Sequence, residues 1–108
     1  MDYQKAEKIF SQIQKTKLIK LKNDLIIKAI RYARIRADWL LLSNDEKVEN
    51  EIERTAAHNA LIDSCNILSR NMATEGEDNT WRTSTSDDRK LIGDFACYIH
   101  CIIGINSR

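Results

Sequence analysis

Asn59, Asp63, Asn66 and Arg70 stand three and four residues apart in RTAAHNALIDSCNILSR, residues 54–70, so a helix presents them along one line. A solvated helix face is ordinarily Lys and Glu, whereas amides, an acid and a guanidinium are directional donors and acceptors. Such a line is a simply solvated face, a hydrogen-bond network at a subunit interface or a contact with a polar ligand. Arg36 poses a related question, because it falls inside an apolar arc between Tyr32 and Leu40, where an unpaired guanidinium is very unfavourable. It needs Asp63, Asp94, a solvent-reaching stem or an external anion. Trp81 and Arg82 sit in the polar run NTWRTSTSDD. The indole either folds back as a lid on the core or stacks on a flat ligand, with Arg82 beside it for an anionic group.

Two other constellations can be built. Cys97, His100 and Cys101 share one side of a helix, as do His58 and Cys65, and together they hold the donor types of a tetrahedral zinc site. No paired CxxC knuckles support it, so no metal is assigned. Arg54 and His58 are four apart and resemble the Arg and His pair of small helical ribonucleases, though with shorter spacing and unmatched surroundings. No phosphate-cradling glycine loop, nucleophile elbow or paired carboxylates accompany them, so no catalytic residue and no cofactor is assigned.

These side chains must be held by a small scaffold. The 108 residues suffice for one domain with one modest core. A hydrophobic share of 43% excludes a disordered chain, and zero Pro with three Gly favours long helices over a many-turned β fold. No apolar run is long enough for a membrane span, and MDYQKAEKIF lacks a signal-peptide core, so a cytoplasmic protein is expected. Three cysteines in such a chain point to reduced thiols.

Net charge is only +1, but residues 1–42 carry ten Lys or Arg against four Asp or Glu, and residues 43–80 carry three against nine. Neutral overall charge argues against nucleic acid as a partner. The division instead suits a basic helix pair beside an acidic helix, or oppositely charged faces of neighbouring subunits.

Periodicity predicts an all-α bundle of about four helices with a long central third helix. Tyr3, Ala6, Ile9, Phe10 and Ile13 form the apolar face of the first helix, with Lys15–Lys22 its continuation or a basic connector. Asn23 or Asp24 is the predicted cap of a second helix running to about Leu42, in which Arg34 and Asp38 form an i,i+4 pair. Ser43 and Glu46 match a capping box opening a third helix that runs towards Gly76. Ser86 or Asp87 starts the fourth, with Leu91, Ile92, Phe95, Tyr98, Ile99, Ile102 and Ile103 inward and Gly104 as its stop.

On the third helix Ala57, Leu61, Cys65, Leu68 and Met72 make the core stripe. Val48 and Ile52 lie nearly opposite, and the line of Asn59, Asp63, Asn66 and Arg70 continues from them. A helix with two contact faces is central in its bundle or bridges to another subunit.

At HNALIDSCNILSR, the later WR and DDRKLIGDFACYI, spanning residues 54–100, the chain resembles a family of small uncharacterised helical proteins of Gram-positive bacteria and their phages. The resemblance implies no catalytic residues. It implies a stoichiometric binder, an inhibitor of a host protein or a sponge for nucleotide signals. The expectation is a self-associating, non-catalytic binding protein that captures an anionic, nucleotide-like ligand between subunits through Arg36, Asn59, Asp63, Asn66, Arg70, Trp81 and Arg82. The alternatives are a regulator of a host protein and a small helical ribonuclease.

Overall fold

The computed structural model of the chain describes residues 3–85 and 89–106. They form α1 (Tyr3–Ser11), α2 (Thr16–Leu40), α3 (Asn44–Thr74), the short turn α4 (Trp81–Ser84) and α5 (Arg89–Asn106), with no strand among them. The fold is all-α with a long third helix, and no described helix is long and apolar enough to cross a membrane.

Lys15–Lys22 is neither an extension of the first helix nor a connector. It supplies the first turns of α2, whose N-cap is Lys15 rather than Asn23 or Asp24. The apolar period explains the correction: Leu18, Leu25, Ala29 and Tyr32 are all wholly buried, so one helical stripe runs unbroken past Asp24. Asp24 tethers two helices instead. Its Oδ2 accepts from Lys28 Nζ at 2.8 Å and from the buried Ser64 of α3 at 3.0 Å.

The two ends of α3 follow the sequence signals. Ser43 Oγ accepts from the Glu46 amide at 3.3 Å, and the Glu46 carboxylate accepts from the Ser43 amide at 3.2 Å, the reciprocal bonds of a capping box. At the other end Gly76 takes φ 73°, with its amide bonded to the Ala73 carbonyl and the Glu77 amide to that of Met72. This is a Schellman stop. Lys15 Nζ donates to the Glu75 carbonyl at 3.0 Å, placing a cation at the negative end of the α3 dipole. Gly104 does not stop α5, which continues to Asn106; among the described glycines only Gly76 has positive φ. The Ser86 and Asp87 cap assignments lie outside the described residues.

α2 packs between α3 and α5. The stripe Ala57, Leu61, Cys65, Leu68 and Met72 is buried as expected, and Ile92, Phe95, Ala96 and Ile99 are buried on α5, which packs on α2. Fully burying a leucine such as Leu61 contributes about 2 kcal/mol. α1 packs on α5, with the Tyr3 ring 5.7 Å from both Phe95 and Tyr98, and its hydroxyl donating to the Leu91 carbonyl. Phe10 meets Trp81 edge-on at 5.0 Å, which anchors α4 under α1. The outward sides of α2 and α3 keep Ile27, Leu41, Val48 and Ile52 well exposed.

Candidate functional site

The C-terminal third of α3 carries an open groove of about 420 Å³ lined by Asp63, Asn66, Ile67, Ser69 and Arg70. The polar turn after α3 braces it. Arg82 Nε donates to Asn66 Oδ1 at 3.0 Å, and its Nη1 donates to Oγ1 of the buried Thr85 at 3.1 Å. Asn79 Nδ2 donates to Ser69 Oγ at 3.2 Å and to the Ser69 carbonyl at 3.3 Å. Asn66 is thus fixed by its carbonyl side, and its Nδ2 is a donor not engaged within the described residues. Arg70 and Asp63 are exposed, and neither enters an ion pair among the described residues.

Chemically the groove is two-ended. Arg70 and the Asn66 amide, which Arg82 braces, offer positive charge and donors, while Asp63 offers an acceptor seven residues away, about 10 Å along the helix. Ile67, 38% exposed, supplies an apolar patch between them. Asn59 lies one further turn towards the N-terminus, exposed, with Oδ1 3.1 Å from His58 Nδ1.

Two of the expected contributors lie elsewhere. Asp24 meets Ser64 beside the groove, and Arg36 is twelve residues further along α2, about 18 Å away. Its guanidinium crosses α5 at Gly93, where an added Cβ would come within 2.8 Å of Nε. Nη1 reaches Cys97 Sγ at 3.7 Å and Asp94 Oδ1 at 3.9 Å. Asp94, one of the two partners expected from sequence, therefore answers this charge without an external anion. Trp81 is wholly buried, its Nε1 donating to Met72 Sδ at 3.3 Å, so it is the lid on the core and presents no ring to a ligand. Burial of so large an apolar surface beside Phe10 outweighs its polar sequence setting.

The Arg54 and His58 pair is engaged within the protein. Arg54 lies over the Trp39 ring at 4.3 Å and 3.5 Å from both Glu51 oxygens. The His58 ring meets Tyr32 edge-on at 5.6 Å, and its Nε2 is buried. A general acid or base must reach the substrate proton, so Nε2 is turned away from that work and only Nδ1, beside the exposed Asn59, is open to it. The three cysteines are free, and no group of three metal-binding side chains occurs among the described residues.

Sequence reasoning missed the braces Ser69, Asn79 and Thr85. The signal that marks Asn79 and Thr85 is the hydroxyl and amide richness of NTWRTST. No protein-family model, curated protein or solved structure matches the chain.

Proposed function

We propose that the chain is a non-catalytic binding protein whose α3 groove takes a small anionic, nucleotide-like ligand. The observation that carries this reading is the exposed Arg70 beside the Asn66 amide, which Arg82 holds in place, on an open groove of about 420 Å³. A phosphate accepts charge-assisted hydrogen bonds from this end. Asp63 accepts from a base amino group or sugar hydroxyl at the other end, and Ile67 packs on the ring between them.

A thermal-shift series with nucleoside mono-, di- and triphosphates tests it. At least one should raise the melting temperature, Arg70→Ala should remove the rise, and Arg36→Ala should leave it, given the separation of Arg36 from the groove. A flat series, or a rise that survives Arg70→Ala, would sink the reading.

The second reading, a regulator that binds a host protein, is favoured by Leu41, Val48 and Ile52, which are 86%, 77% and 82% exposed at one end of the α2–α3 pair. It predicts that nucleotides change nothing and that Ile52→Asp abolishes binding to a purified partner. The ribonuclease alternative draws no support from the buried Nε2 of His58.

A further inference from the structure

The broad face formed by α2 and α3, on the side of α2 turned away from the core stripe, has no covering element among the described residues. An open groove of about 440 Å³ runs along it, lined by Ile27, Ile30, Arg31, Arg34, Ile35 and Glu53. Ile27 is 65% exposed, and Arg31, Arg34 and Glu53 are exposed without an ion pair among the described residues. Arg34 does not pair even with Asp38, four residues on in its own helix.

Charge divides this face lengthwise. α2 carries seven Lys or Arg against two Asp, and α3 carries six Asp or Glu against three Lys or Arg. On α3, Glu49 stands one turn before Glu53, and Ala56 and Ala60 follow at three and seven residues, so acids and then small side chains share the α2-facing edge.

We propose that this face is the interface between two copies of the chain, related by a two-fold axis running along the helices. The charges select that symmetry. Laying α2 on α2 would oppose Arg31 and Arg34 to themselves, whereas a two-fold along the helix direction lays α2 of each copy antiparallel on α3 of the other. Because α2 and α3 are themselves antiparallel, with Asp24 level with Ser64 and Tyr32 with His58, the rotation keeps those levels. Arg34 of one copy then comes within side-chain reach of Glu53 of the other, and Ile30 comes level with Ala60, where a small side chain admits it. Both contacts occur twice. The result is a four-helix core in which basic and acidic helices alternate, and it does not depend on what occupies the α3 groove.

Sedimentation velocity from low to high micromolar protein tests this interface. The wild type should sediment as a dimer, while Arg34→Glu, Glu53→Arg and Ile27→Asp should each raise the dimer dissociation constant roughly tenfold or more. The double variant carrying both Arg34→Glu and Glu53→Arg should restore the dimer, because both cross-copy pairs are then re-formed with reversed sign. A wild-type monomer at every concentration would overturn the interface, as would single variants that stay dimeric or a double variant that stays monomeric. All three side chains are exposed in one copy, so far-ultraviolet circular dichroism should show unchanged helicity and exclude misfolding as the cause of dissociation.

Discussion

Asp24 and Tyr32 show how single side chains on α2 set its contact with α3. The Asp24 carboxyl is held below its ordinary range, first by the hydrogen bond from Lys28, and further by that from Ser64 and by the Lys28 charge, against partial desolvation. A carboxyl whose folded-state pKa is depressed stabilises the fold fully above its unfolded value, near pH 4, and loses that contribution as pH falls through the folded value. Stability should therefore drop on acidification below about pH 4, and Asp24→Asn should flatten that limb in urea titrations run at several pH values. The effect is small, because the Asp24 side chain is 48% exposed and solvent screens the Lys28 pair. Tyr32 is the opposite case. Its ring is wholly buried against His58, yet its hydroxyl has no partner among the described residues. Tyr32→Phe keeps the ring and removes an unsatisfied group that costs about 1–3 kcal/mol when buried. The variant should be as stable as the wild type or more so by about 1 kcal/mol in the same titrations; a loss above about 1 kcal/mol would show the hydroxyl to be satisfied in solution.

Among the four longer helices, α3 is the most legible from sequence and α2 the least; the single turn α4 has no periodic signal at all. Both α3 ends are written in local chemistry: Ser43 with Glu46 at the start, and Gly76 at the stop. Gly76 also isolates one energetic term. Nothing lies within 4 Å of a Cβ added there, so Gly76→Ala costs only the left-handed backbone conformation, about 1–2 kcal/mol. Equilibrium unfolding should show that loss with far-ultraviolet circular dichroism unchanged. The start of α2 misled because Asn23 and Asp24 are good caps in isolation, and their local preference yields to the continuous burial of Leu18 and Leu25. Pairing of charges at i,i+4 was ambiguous for a related reason. Asp24 with Lys28 places the acid N-terminal and closes at 2.8 Å; Arg34 with Asp38 has the weaker reverse order and does not close. At the groove, the line of Asp63, Asn66 and Arg70 was legible because helical spacing alone sets it. The brace from Arg82 was not, since it depends on how residues 75–85 fold back over α3, a tertiary fact without a periodic signature.

Taken whole, the chain is longer than a sphere of its size. Its extents are 47 × 30 × 24 Å and its radius of gyration is 14.3 Å, against about 13 Å for a compact domain of this length. The long axis matches the 31 residues of α3, about 46 Å of helix. A rod-like pair of helices exposes more side area than one layer of α1 and α5 can cover, which leaves the outward face of α2 and α3 with Ile27 65% exposed. Association through that face couples folding to concentration, because a dimer that forms only from folded chains is stabilised by mass action. The melting temperature should therefore climb as protein concentration rises, and it should do so without nucleotide. In Ile27→Asp the climb should vanish, leaving a melting temperature near that of the dilute wild type, since the substituted side chain is already in solvent within a single copy. A nucleotide bound in the α3 groove would add its own increment, set by free ligand concentration rather than by protein concentration. Scanning calorimetry over a grid of both concentrations separates the two linkages. A melting temperature independent of wild-type concentration removes the interface and leaves the groove standing; one independent of nucleotide does the reverse.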